Sequence, residues 1–423
     1  MTTAFDPLRL PARIILSFGL LYCMYLVTTR AIAEWYYRQP PPQGFRKAIE
    51  WDPQNPIYYF DLGRFLQTSL QGGDLAEVIH LYEKAVELSP YRTQYWAQLA
   101  GAYEVAGQMD DAQKAYERAR RLFPHSPEIN WVLANYYIRQ DRLPDAIVLF
   151  QKALLGDMNL RRQVYDLLWR AEAPQEIILI EILPTDVKIL FEYLNFMVEK
   201  NQVEIAVQAW NRILELDRSF EVPAAFPYLD ALIREKRLEL LKAAWSALNK
   251  SNPTVIRQAH HDPNLLVNGD LEGEILNGGL DWRVQPLESV IVSVDTLTYF
   301  DGTRSLRIEF QGKHNVDYRH IWQYVLVTPN TRYRFTGYLR TQGITTDSGL
   351  RFQIYDAYDP SHLYLSSEPM IGTSGWAPVH LEFATGPETG LLVVRIGRPS
   401  SQKLDNLIKG VAWIDRTSLI AVP

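Results

Sequence analysis

A chain of 423 residues with 47% hydrophobic and 22% charged side chains has ordinary globular usage and room for roughly two or three domains. Its net charge of -6 excludes a general nucleic-acid binder, which needs a basic face to displace counterions. The single cysteine, Cys23, excludes an intrachain disulfide and a cysteine-based metal site.

Behind a short tail, residues 1–13, the stretch 14–29 carries no charge and is bracketed by Arg13 and Arg30. Extended through Ala31 and Ala33, it predicts a transmembrane signal anchor over 14–34, about 20 residues long with snorkelling arginines. Trp35, Tyr36 and Tyr37 stand at its far edge, where interfacial rings collect. The competing expectation is a secretory leader cut after Ala33, since Ala31-Ile32-Ala33 forms an A-x-A site. Tyr22 before Cys23 is too large for a lipobox. Arginines flank the segment almost evenly (Arg9 and Arg13 against Arg30 and Arg38), so orientation rests on the default that a short basic N-terminus stays cytoplasmic. On that default the protein is a single-pass protein of the inner (cytoplasmic) membrane with its bulk in the periplasm. Residues 35–44, with Pro40-Pro41-Pro42, are expected to form a stiff extended spacer that lifts the rest off the bilayer.

From 45 to 253 the apolar period is helical. Trp96, Leu99 and Tyr103 share one helix face, and Ala112, Tyr116 and Ala119 share another before Pro124. A shift of 34 residues places Leu133, Ala134, Tyr137, Ala146, Phe150 and Ala153 on the positions of Leu99, Ala100, Tyr103, Ala112, Tyr116 and Ala119. This pattern resembles the tetratricopeptide repeat family. An earlier repeat follows from Tyr59, Leu62, Gly63, Val78, Tyr82 and Ala85, with its turn lengthened at Gln71-Gly72-Gly73, and Phe45 and Ala48 read as a half-repeat before it. Beyond Asp157 the pattern weakens; residues 159–186 read as a shortened repeat, and Ala206, Trp210, Leu241 and Trp245 keep the second-helix spacing. An all-α solenoid of this kind presents a concave groove for an extended peptide or partner helix. Gln94, Gln98, Asn130, Asn135 and Arg139 are its candidate lining.

Residues 254–263 read as a linker, and His260-His261 within it as a solvated pair with no further ligand at metal spacing. The period then changes to two. Alternating runs at 289–294, 305–310, 320–327, 333–339, 350–355, 379–383, 391–396 and 411–414 predict an all-β sandwich over 264–423. Its landmarks, in order, are Leu266-Val267-Asn268-Gly269-Asp270-Leu271-Glu272, Leu280-Asp281-Trp282, Gly302-Thr303-Arg304-Ser305-Leu306, Gly375-Trp376 and Trp413-Ile414-Asp415. That order resembles the jelly-roll carbohydrate-binding modules and the wider galactose-binding-like group. The resemblance implies a structural calcium, for which Asp270, Glu272 and Asp415 would be the oxygen ligands; turn-capping is the alternative role for Asp270. It also implies a sugar site, which needs aromatic faces and planar polar groups. Trp322 and Tyr324 share a strand face, Tyr338 with Arg340 lies on the next strand, and Gln353 and Tyr355 add reach. Trp282, Tyr333, Trp376 and Trp413 are assigned to the core.

Catalysis is not expected. The sequence has no nucleophile elbow, P-loop or dinucleotide fingerprint, and its carboxylate pairs, such as Asp356 with Asp359, lie on turns. The expected protein is a membrane-anchored scaffold whose repeats hold protein partners and whose sandwich binds or adjoins a polysaccharide, suited to assembly or export of envelope or exopolysaccharide. The alternatives are a purely structural adaptor with no sugar site, and a secreted carbohydrate-binding protein.

Overall fold

The computed structural model describes residues 9–69, 74–256, 263–404 and 406–423, with side chains from residue 14 onward. The expected tail before residue 9, the turn at Gln71-Gly72-Gly73 and the His260-His261 pair therefore lie outside the described residues. Two compact units make up the chain, the first ending at Pro184 and the second beginning at Thr185.

The first unit is helical: α1 (Arg9–Tyr37), α2 (Gln43–Trp51), α3 (Pro56–Thr68), α4 (Leu75–Leu88), α5 (Thr93–Val105), α6 (Met109–Leu122), α7 (Pro127–Arg139), α8 (Leu143–Ala153), α9 (Met158–Arg170) and α10 (Gln175–Ile177), which runs into a π-helical turn, Ile178–Ile182. Side chains start several of these helices. Asn55, Asp74, Ser126 and Asp157 each accept a backbone N–H from the first turn of α3, α4, α7 and α9, satisfying donors that helix geometry leaves unpaired. Where helices cross, the expected small residues are fully buried: Ala100, Ala112, Ala119, Ala134, Ala146 and Ala153. Successive repeats are tied by the same hydrogen bond. Tyr103 donates to Glu83 (2.7 Å) and Tyr137, 34 residues on, to Glu117 (3.3 Å).

The inter-repeat turns are pinned as well. Tyr59 donates to the carbonyl of Pro53, Trp96 to that of Pro90 and Asn130 to that of Pro124, each across six residues.

At residues 35–44 the structure departs from the expected spacer. Helix α1 runs on to Tyr37, and only residues 38–42 separate it from α2. Tyr37 donates to Asp61 and packs its ring 5.2 Å from Phe45 and 5.0 Å from Tyr58, while Ala33 and Ala48 bury each other. Glycine at 44 permits this return: a Cβ there would stand 2.6 Å from the carbonyl oxygen of Gln39 and 2.7 Å from that of Tyr36. The end of α1 is thus the first helix of the half-repeat read at Phe45 and Ala48.

The second unit begins with α11 (Val187–Glu199), α12 (Val203–Glu215), α13 (Phe226–Arg234) and α14 (Leu238–Ser251). Ten strands follow: β1 (Arg283–Val284), β2 (Val290–Asp295), β3 (Ser305–Gln311), β4 (Tyr318–Leu326), β5 (Arg332–Ile344), β6 (Arg351–Asp356), β7 (Tyr364–Ser366), β8 (Gly372–Ala384), β9 (Leu391–Arg398) and β10 (Lys409–Val422). They form two antiparallel five-stranded sheets, β1-β4-β9-β6-β7 and β2-β3-β10-β5-β8. Phe310, Ile321, Val325, Phe335, Phe352, Ile354, Val394 and Ile396 fill the space between them. Trp282, Tyr333 and Trp413 are buried, whereas Trp376 is half-buried on the edge strand β8.

Candidate functional site

Along β4 the alternation is regular. Ile321, Gln323 and Val325 face the core, so Trp322 and Tyr324 point out of the first sheet. Antiparallel register then aligns two rows on that outer face. One row runs Arg283, Trp322, Arg395, Gln353 and Ser366. The other runs Tyr324, Val393, Tyr355 and Tyr364, in which the flanking rings leave Val393 only 4% exposed.

Polar groups on this face are held rather than free to rotate. Arg395 donates through Nε to Gln353 Oε1 (2.9 Å) and lies 4.9 Å over the Tyr355 ring. Gln353 donates in turn to the Tyr364 hydroxyl (2.8 Å). Arg283 sits 5.4 Å over the Tyr324 ring and pairs with Asp230 of α13 at 2.5 Å. Burial raises the Tyr355 phenol above its ordinary range and lowers the His320 imidazole at the start of the same face. Both stay neutral at pH 7, so the face carries aromatic rings and two fixed guanidinium groups, Arg395 and Arg283, the second paired with Asp230.

Helices α13 and α14 close one end of the sheet. The Tyr358 hydroxyl donates to the Ile233 carbonyl (2.8 Å), and the Lys236 ammonium lies 4.9 Å over the same ring. Glycines carry the contact: a Cβ at Gly278 would stand 2.1 Å from the Phe226 ring, and one at Gly279, where φ is +57°, 2.4 Å from Trp245.

Of the residues expected to form one sugar site, Trp322, Tyr324, Gln353 and Tyr355 come together here, and Tyr338 and Arg340 do not. Strand β5 belongs to the second sheet. On its outer face Tyr338 stacks on Phe300 (3.7 Å, 15°) and Arg340 covers Trp413 (5.4 Å). Consecutive strands here cross from sheet to sheet, which strand periodicity does not reveal. Arg283, Arg395 and Tyr364 went unnoticed in the sequence. Of these, Arg395 interrupts the apolar run of β9, a signal by which the sequence could have shown it.

The acidic trio lies elsewhere. Glu272 accepts from the backbone N–H groups of Thr303 (2.8 Å) and Arg304 (3.1 Å). Asp415 accepts from Phe300 (2.7 Å) and Asp301 (3.1 Å) of the same loop and from Arg416 (2.7 Å). Asp270 caps Glu272 N at 3.2 Å. Burial raises the Asp415 carboxyl, with the Glu272 charge adding to it. Among the described residues no three His, Cys, Asp or Glu side chains gather as a candidate metal site, so the expected trio does not meet at one point.

In the repeats, Gln94 is exposed, and Gln98 and Asn135 are half-buried. Asn130 is fully buried, its amide donating to the carbonyls of Pro124 and Ser126, so it shapes a turn and lines no groove. Arg139 is engaged by both carboxylate oxygens of Glu104 (2.6 and 2.8 Å).

The repeats and the sandwich define the class of protein by its architecture: stacked helical hairpins followed by a two-sheet antiparallel β-sandwich. The tetratricopeptide repeat family model matches residues 97–159, and that of the bacterial transcriptional activator domain residues 62–125. None of the curated proteins matches the chain. Among solved structures it is similar to YrrB, a TPR protein with an unusual peptide-binding site (16% identity, TM-score 0.25, covering 50% of this chain and 93% of that one). It is also similar to TmCBM61 in complex with beta-1,4-galactotriose (17%, 0.27, 38% and 99%) and to a Family 16 Carbohydrate Binding Module-2 (20%, 0.26, 37% and 99%).

Proposed function

We propose that this chain is a non-catalytic, membrane-anchored scaffold whose repeats hold a protein partner and whose sandwich binds a polysaccharide on the outer face of the sheet β1-β4-β9-β6-β7. The observation that carries the reading is the double row of Trp322, Tyr324 and Tyr355 interleaved with Arg395 and Gln353. Rings stack on the C–H side of a pyranose, and a guanidinium fixed against the buried Gln353 amide at 2.9 Å offers pre-set donors to its hydroxyls with less entropy lost on binding. Envelope or exopolysaccharide assembly is the process such a combination suits.

Titration calorimetry of the intact protein against cell-envelope polysaccharides tests this. Trp322→Ala should weaken binding at least about tenfold, or about 1.4 kcal/mol, and Tyr338→Ala on the other sheet should leave it unchanged. Loss of affinity in both, or in neither, sinks this face as the site and favours the adaptor reading.

Anchoring is supported by α1, the one helix among the described residues long and apolar enough to cross a membrane. Inner-membrane insertion with a periplasmic bulk follows from the charge default of the N-terminus. Calcium belongs to the same reading. Glu272 and Asp415 grip residues 300–304 from two sides, and a hard cation held between these two carboxylates, with backbone carbonyls completing its shell, would link the first and last segments of the sandwich. Adding calcium should then raise the melting temperature of the wild type but not of Glu272→Gln; an unmoved wild type removes the metal.

A further inference from the structure

From the first unit we infer a second membrane contact, resting on the anchoring reading: its inter-repeat turns lie in the lipid headgroup layer of the bilayer that α1 spans. The argument begins with α1. Side chains from Ile14 to Thr28 are exposed but for the half-buried Leu26, burial begins at Thr29, and by Ala33 the helix is covered by α2. The 15 lipid-available residues from 14 to 28 measure about 22 Å at 1.5 Å each, short of a hydrocarbon layer of about 30 Å. A span with no surplus length leaves no gap between bilayer and protein; the mismatch draws the first hairpin against the surface.

Topology fixes which edge meets the lipid. Successive helices of this unit pack on one another through short turns, so the turns alternate between two edges. Helix α2 folds back along α1 from Gly44, passes Ala33 at Ala48 and ends at Trp51, level with Thr29 where α1 leaves the apolar layer. The turns after α2, α4, α6 and α8 therefore share the edge from which α1 descends. That edge bears Trp51 (43% exposed), Ile57, Tyr91 (80%), Phe123 (56%), Leu155 (67%) and Met158. Among the described residues the opposite edge has only Trp35, Val105 and Met109 of this kind. Arg120, Arg121 and Lys152 stand in the last turns of α6 and α8 beside the first edge, where phosphate groups would meet them. The hydrogen bonds onto the carbonyls of Pro53, Pro90 and Pro124 hold three of these turns in one shape, so their apolar tips are presented together.

The test places an environment-sensitive fluorophore on single cysteines in the intact protein on a Cys23→Ser background. The protein is reconstituted in vesicles of equal parts phosphatidylcholine and phosphatidylglycerol. Labels at Phe123→Cys and Leu155→Cys should shift to the blue and be quenched by a nitroxide carried near the headgroup. Labels at Val105→Cys and Gln108→Cys should keep water-like emission. A label at Leu20→Cys, quenched by a nitroxide deep in the chains, reports the anchor. If Leu20 is quenched while Phe123 and Leu155 match Val105, the edge contact is overturned and the anchor stands. If Leu20 is not quenched, the anchor falls and the edge contact falls with it.

Discussion

Asp281 is 1% exposed, held between the backbone N–H groups of Leu276 (2.8 Å) and Trp282 (2.7 Å), and burial raises its pKa to about 6. Those two donors lower it, and desolvation wins. Because its folded pKa lies above the unfolded 3.8, Asp281 favours the folded state most below that value and loses the contribution as pH rises through about 6. The unfolding free energy of the wild type relative to Asp281→Asn should fall by about 2 kcal/mol between pH 4 and 7, read by denaturant titration across that range. A flat difference would mean that the carboxylate is ionised in the fold throughout. Asn130 gives a second residue-scale expectation. Asn130→Ala removes the amide donor from the Pro124 carbonyl, leaves the Ser126 carbonyl with only the residue-130 backbone N–H, and should cost about 1–2 kcal/mol, while Gln94→Ala on the exposed surface should stay within about 0.5 kcal/mol in the same assay.

At the scale of elements, helices with period 3.6 and strands with period 2 were readable from the chain because burial imposes those periods. Each of the eight strands read from alternation overlaps an observed one, five lying wholly within it and three overrunning an end by one residue. Strands β1 and β7 were missed, since two or three residues show no period. Which sheet a strand joins was not readable either, and this separated Tyr338 from Trp322. The prolines at 40–42 suggested an extended spacer; what decides instead is the absence of a side chain at Gly44, which lets α2 close on α1. Restoring distance by design checks the consequence. Seven residues inserted after Thr28 add two helical turns, about 10 Å, and keep the same face of α1 toward α2. The label at Phe123 should then become water-exposed while that at Leu20 stays quenched.

For the molecule as a whole, Ala33 decides between the anchored and the secreted forms. It is fully buried against Ala48, so removing residues 1–33 would uncover α2 and Tyr58 at the start of the repeats. N-terminal sequencing of the mature protein should therefore begin upstream of Glu34; a start at Glu34 would make it a released protein. Leader peptidases read an unwound strand, and here the bond after Ala33 lies within a continuous helix. Its protection arrives only once Trp51 has been synthesised, 18 residues later, or about one to four seconds at usual elongation speeds. The fate of the N-terminus is thus a race during translation, won by whichever comes first, the enzyme or the closing hairpin.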